Sequence, residues 1–172
     1  MKTNFSITSR NKIALKDLTD YTQIKRIFKK ANIQRYLYII RYNGEIIKIG
    51  IQWTVQDWAD RIYTQIGHMP GWNKPLLKRS DKKTGTATRS LIAKIDQTSF
   101  HKDNVELEIF DFTNYPFQME SSIYAEMQNA EEELKAEFYK TYNRYPVGNI
   151  KQEPIRSIVK LETFADLFLK VN

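Results

Sequence analysis

Leu18, Tyr21, Ile24, Ile27 and Phe28 recur at three- and four-residue spacing with basic side chains between them, which predicts an amphipathic helix over residues 16–31. The next stretch, Arg35 to Gln52, alternates around Asn43-Gly44 and predicts a β-hairpin. Residues 54–66 read as a second helix. Thr54 is placed to cap it with Asp57 three residues on, Val55, Trp58, Ile62 and Ile66 form its apolar face, and Gly67 ends it. Lys78 to Thr88 is a basic Gly/Ser/Thr-containing loop, expected to be mobile, and a short helix follows at Ser90 to Gln97. Val105 to Phe112 alternates as a strand. Asn114 to Tyr142 predicts a long helix with Pro116 in its first turn, closed by Pro146 and Gly148, and Ile155 to Val171 a final helix. The expected fold is α+β: a small antiparallel three-stranded sheet flanked by helices, with helices added at both termini.

The hairpin pattern also constrains register. Leu37 and Ile39 on the first strand, and Ile47, Ile49 and Ile51 on the second, are odd-numbered and apolar. Placing both sets on one face requires odd to pair with odd, since a one-residue slip turns every side chain over. A three-residue loop, Tyr42-Asn43-Gly44 with Gly44 left-handed, gives that parity. Arg41 then lies opposite Glu45 and Tyr38 opposite Lys48. One face becomes a dry Leu/Ile core. The other presents Tyr36, Tyr38 and Lys48 to solvent, with Gly50 leaving space beside them.

The chain has 172 residues, 41% hydrophobic and 27% charged, a globular composition sized for one domain. It contains no cysteine and two histidines, which excludes disulfides, thiol nucleophiles and His-rich or Cys-ligated metal centres. Met1 to Lys12 has no apolar run, so no signal peptide is expected, no segment is long enough to span a bilayer, and a cytoplasmic location follows. Twenty-seven Lys and Arg against twenty Asp and Glu leave a net charge of +7, which favours polyanionic partners. The excess clusters in Lys25–Lys30 and in Lys74–Arg89.

Tyr36-Leu37-Tyr38-Ile39-Ile40, followed after the turn by Lys48-Ile49-Gly50, resembles the paired motifs of the GIY-YIG nuclease superfamily. Tyr36 stands where the first glycine would be and Lys48 where the second motif's tyrosine would be. That lysine is similar to the one in small GIY-YIG type II restriction enzymes. Arg61 matches the family's helical arginine. Ala130-Glu131 through Leu134, Phe138, Pro146 and Asn149 resembles its later helix, with a metal-binding glutamate and a following Pro–Asn turn. The resemblance runs over residues 35–150, which are expected to form the catalytic core of a single domain, 1–172. Residues 1–34 would be an N-terminal helical extension and 151–172 a C-terminal helix.

The resemblance implies hydrolysis of a DNA phosphodiester with magnesium, for which manganese would substitute. Among the glutamates of the long helix, Glu131 is the first choice. Helical spacing puts Tyr124, Met127, Leu134 and Phe138 on one stripe with Glu131 at its centre, while Glu126, Glu132 and Glu133 point away. Glu120 is the second choice and Glu137, twelve residues before Asn149, the third. A metal on Glu131 and the guanidinium of Arg61 would offset charge that develops on the phosphate. Tyr38 would serve as general base, directly or through water, with Lys48 favouring its phenolate or holding the nucleophile.

DNA contacts are expected from Lys78, Arg79, Lys82, Lys83 and Arg89 in the basic loop, with Trp72 to wedge or stack. Tyr36, His68 and Asn149 are further candidates, His68 as a phosphate donor, a second base or a turn cap and Asn149 as a bond to the site's backbone. The expected function is a sequence-specific restriction-type endonuclease acting on double-stranded DNA, for which two active sites imply a homodimer. A repair or mobile-element nuclease, and a binding module of the same fold without turnover, are the alternatives.

Overall fold

A computed structural model describes residues 10–55, 60–67, 69–73 and 100–149. Within them, four strands form one antiparallel sheet in the order β1-β4-β2-β3: β1 Arg10–Ala14, β2 Tyr36–Tyr42, β3 Glu45–Gln52 and β4 Val105–Asp111. Three α-helices accompany it: α1 Gln23–Ala31, α2 Asp60–Gly67 and α3 Ile123–Tyr142. The fold is α+β as expected, with one strand more. The additional strand, β1, lies in the stretch expected to be helical extension and pairs with β4 from Arg10↔Phe110 to Ala14↔Glu106. Its short Lys/Ile alternation carries little pattern of its own, and its place is set by the exposed edge of β4. Among the described residues no helix is long and apolar enough to cross a membrane.

The sheet is buried on both faces. Ile24 and Phe28 of α1, Ile62 and Ile66 of α2, and Met69, Trp72 and Phe100 cover one face, where they meet Tyr36, Tyr38, Ile40, Ile47, Leu107 and Ile109. Ile123, Met127, Ala130, Leu134 and Phe138 of α3 cover the other, against Leu37, Ile39, Ile46, Ile49, Ile51 and Phe110. The expectation of a solvated tyrosine face is therefore overturned: Tyr36 and Tyr38 are 0% exposed. Phe28 packs edge-on against Tyr36 at 4.9 Å between centroids. A central strand roofed on both sides buries every side chain regardless of alternation.

The hairpin reaches the expected parity by another route. Its turn is the two-residue Asn43-Gly44 with φ of 49° and 84° at the two positions, the left-handed pair that favours Asn and Gly. Tyr42 therefore pairs with Glu45 and Arg41 with Ile46; beyond a bulge between Ile40 and Arg41, Ile40 pairs with Lys48 and Tyr38 with Gly50. The extra residue at the bulge is Ile47, which turns to the tyrosine face while Ile46 takes its expected place among the odd residues. Lys48 thus lies diagonal to Tyr38 rather than opposite it.

The helices are shorter than their patterns. Leu15–Asp17 is a 3₁₀ turn, and Gln23 Oε1 accepts from the Thr19 and Asp20 amides to start α1 afresh. Asn32, left-handed at φ 54°, ends it. In place of a helix from Asn114, Phe112, Tyr115 and Phe117 lay successive rings on one another at 5.1 and 4.8 Å, and α3 begins only at Ile123. The helices expected at 90–97 and 155–171 lie outside the described residues.

One buried cation ties the first segment to the sheet. Lys102 donates to the carbonyls of Leu15 and Leu18 at 2.9 and 2.8 Å and to Asp103 at 2.8 Å, and its Nζ lies 4.8 Å from the Trp72 ring centre. Its charge holds the neighbouring Asp103 carboxyl below the usual range, chiefly through that hydrogen bond.

Gly50 is the tightest point of the core. A Cβ there would lie 2.3 Å from Tyr38 Oη and 2.4 Å from Cζ, and the ring is walled in on its other sides. Gly50→Ala is expected to cost about 1–3 kcal/mol by overpacking. That cost should vanish when the change is made in a Tyr38→Ala background, as urea midpoints of the four variants would reveal. Equal costs in both backgrounds would disprove the contact.

Candidate active site

β3 would be an open sheet edge were it not for the chain that follows α3. A turn closed by Asn149 N donating to Pro146 O brings Gly148 and Asn149 alongside it. Gly148 N donates to Ile47 O at 2.7 Å. The Asn149 side chain then completes the ladder: Oδ1 accepts from Ile49 N at 2.9 Å and Nδ2 donates to Ile49 O at 2.8 Å. An amide carries one acceptor and donors in a fork, so it reproduces a neighbouring strand's backbone pair. Asn149 is buried and its amide is committed to Ile49, between Lys48 and Gly50.

Lys48 bends around this edge. Its Nζ donates to Gly148 O at 2.8 Å, and its charge acts on Glu131 of α3. Glu131 does not lie at the centre of the apolar stripe. The stripe is Ile123, Met127, Ala130, Leu134 and Phe138, and Tyr124, expected in it, is half-exposed. Glu131 falls on the flank, one helical step aside, with its carboxylate 3.4 Å from Lys135 Nζ. Lys135 also pairs with Glu132. Burial pushes the Glu131 carboxyl above its ordinary value, opposed by Lys135 and Lys48 and reinforced by Glu132. Glu132 and Glu133, expected to point away from the stripe, are nonetheless buried, at 1% and 8% exposed.

The three candidate acids now separate. The Glu120 side chain is 85% exposed and pairs with Arg35. That of Glu137 is 37% exposed and pairs with Lys140. That of Glu131 is 16% exposed. Glu131 has its carboxyl raised by burial, with the charges of Lys135 and Lys48 acting against that rise.

Tyr38 extends from the central strand so that its hydroxyl lies over Gly50 on β3. Gln65 of α2, missed in the sequence, donates to this hydroxyl through Nε2. Lys48 and Gly50 are two residues apart on one strand, about 7 Å. The edge strand therefore receives the Tyr38 hydroxyl at Gly50 and carries Lys48 two residues before it, and the charge of Lys48 acts on Glu131. The tyrosine ring and the body of α3, however, occupy opposite faces of the sheet.

The remaining candidates divide. Arg61 is on α2, one turn before Gln65, with its side chain outside what is described. His68, Lys78, Arg79, Lys82, Lys83 and Arg89 lie outside the described residues. Trp72, expected to wedge or stack, is a core residue whose Nε1 donates to Ile66 O at 2.8 Å. Tyr36 is equally in the core. Thr54, expected as a cap, accepts from Gln52 Nε2 at 2.8 Å. His101 accepts from Asp103 N and lays its ring against Gly71.

Among the described residues no group of three or more His, Cys, Asp or Glu side chains converges to hold a metal. The donor chemistry of Glu131 nevertheless fits magnesium or manganese. A single oxygen-donor carboxylate with waters completing the shell is a normal arrangement for such an ion, and a cation would relieve the desolvated charge. No family model, curated protein or solved structure matches the chain.

Two outcomes follow from this geometry. Asn149→Ala leaves the Ile49 N–H and C=O without partners and is expected to cost about 1–3 kcal/mol, with faster hydrogen exchange at the Ile49 amide. For Glu131, the folded protein keeps its proton above the ordinary value of 4.5, so stability falls as pH rises from there through the raised value. Glu131→Gln should therefore raise the thermal midpoint at neutral pH, and the gain should disappear below the ordinary carboxyl range. A gain that persists in acid would remove burial as its cause.

Proposed function

We propose that this chain is a divalent-metal-dependent endonuclease with a GIY-YIG-like core, hydrolysing phosphodiester bonds of double-stranded DNA at a specific sequence as type II restriction enzymes do. The observation that carries this reading is the Lys48 ammonium held on Gly148 O at the β3 edge, its charge acting on the buried Glu131 carboxyl, beside the strand position that receives the Tyr38 hydroxyl. A buried carboxylate flanked by two lysines is costly to keep for structure alone and suits a site where a phosphate and a cation meet.

In this reading Glu131 holds magnesium or manganese, and the ion when bound supplies Lewis-acid stabilisation of the phosphate. Lys48 contributes positive charge to the phosphate from the edge strand, and Arg61 does so from α2. Tyr38 accepts the proton of the attacking water, directly or through a second water, while the Gln65 amide fixes the hydroxyl's position. Cutting both strands at a short site calls for a homodimer.

The complete burial of Tyr36 and Tyr38 favours a second reading, in which the tyrosines are core residues and the domain binds nucleic acid without turnover. A plasmid-cleavage series with magnesium, with EDTA, and with Glu131→Gln and Tyr38→Phe separates the two. The nuclease reading expects discrete fragments that need metal. It also expects losses of about 10²–10⁴-fold in rate for Tyr38→Phe, the usual contribution of a general base. Salt-sensitive binding with no cutting under any condition would establish the second reading. Cleavage unchanged by Tyr38→Phe would retire the tyrosine as base.

A further inference from the structure

The seam between β3 and α3 carries a second chemistry at its other end. Trp53, directly after β3, and Tyr124, in the first turn of α3, are 41% and 42% exposed, and their ring centres lie 5.2 Å apart at 57°. Val55 and Met119 are exposed nearby in sequence to each. Large exposed aromatics are ordinarily loosely held, and Trp53 is not. Arg35 Nε donates to the Trp53 carbonyl at 3.0 Å, and Gln52 Nε2 donates to the Thr54 carbonyl at 3.1 Å, so the backbone is fixed on both sides of the indole. Its ring is presented to solvent by a pre-ordered chain.

This aromatic pair is in line with the candidate site. Tyr124, Glu131 and Lys135 share one flank of α3 by helical phase, being seven and eleven residues apart. On β3, Trp53 and Lys48 are five residues apart. The seam thus joins Trp53 to Tyr124 at one end and has Lys48, whose charge acts on Glu131, at the other. The two ends are separated by about 10 Å along the helix and about 16 Å along the strand. That span corresponds to roughly three to five steps of a stacked nucleic-acid strand at 3.4 Å each.

We infer that Trp53 and Tyr124 form a stacking platform for an unpaired nucleobase, placed a few nucleotides from the phosphate that Lys48 would attract. The inference rests on the nuclease reading and specifies how its duplex substrate is held: with one base extruded from the stack near the scissile bond, so that a probe whose base is already unpaired binds without that cost. The occupant is taken as a base because every base offers a π-face to an indole whatever its identity. The chain's charge of +7 draws the polyanion to which that base is attached.

The test is fluorescence anisotropy of the full chain in EDTA, so that binding is read without cleavage. Three probes are used: a labelled single strand, a duplex with one unpaired base, and the fully paired duplex of the same sequence. Wild type should prefer the first two. Trp53→Ala, which keeps the carbonyl that Arg35 binds, should lose about tenfold in affinity for them with the paired duplex unchanged, and Tyr124→Ala should act in the same direction. Trp53→Phe should recover part of the loss. Equal binding of all three probes, or a Trp53→Ala variant indistinguishable from wild type, would overturn the platform and leave the nuclease reading standing. Failure to bind any of the probes would overturn both. Patch-dependent self-association in sedimentation, with binding unaffected, would reassign the surface to a second copy of the chain.

Discussion

The closure of the β3 edge by one side-chain amide is the constraint on which the candidate site depends. A sheet edge leaves a row of donors and acceptors that must be satisfied or shielded. Here Asn149 answers both groups of Ile49 at once, and Gly148 answers Ile47. These bonds return the chain after α3 to the strand that carries Lys48 and Gly50. They fix the end of the helix bearing Glu131 against that strand. Loss of the amide would loosen the register between β3 and α3, and with it the approach of Lys48 to Glu131.

The same region concentrates the fold's electrostatic cost. Glu131, Glu132 and Lys135 lie on α3 largely out of water, with Lys48 arriving from the strand. Apolar residues of similar volume would often serve stability as well or better. On the other face the Tyr38 hydroxyl could have been a phenylalanine edge, yet it sits over a glycine and takes a bond from Gln65. Polar groups are thus buried on both sides of one edge strand. Lys102, by contrast, has a structural account: it satisfies the Leu15 and Leu18 carbonyls that end the first turn.

Much of the framework was legible. The hairpin, the helix ending at Gly67, the strand at Val105 and the long helix followed from periodicity and turn residues, as did the odd-with-odd parity of the hairpin. Its register was not, because a two-residue turn with a bulge and a three-residue loop give the same parity but differ in which residues face each other. β1 was illegible because a five-residue edge strand derives its stability from its partner. Nor could the sequence tell which tryptophan is exposed. Trp72 stood beside basic residues yet is core, whereas Trp53 stood at a strand end and is surface. Burial of Lys102 and Glu132 depends on groups distant in the chain or on helix packing, and local pattern does not encode these.

A lysine at position 48 has its own physical logic at this edge. The residue points to the tyrosine face by pairing with Ile40, yet its ammonium reaches Gly148 O and influences Glu131, which belongs to the opposite layer. Only a long, flexible stem can leave the sheet on one side and deliver its charge around the edge. A planar tyrosine there would stay on its own face, and a guanidinium would demand forked partners that Gly148 O alone does not offer. A lysine here therefore delivers positive charge to the seam with α3 rather than to the tyrosine face. Burial and Lys135 set most of the Glu131 environment, and Lys48 adds its charge from the strand.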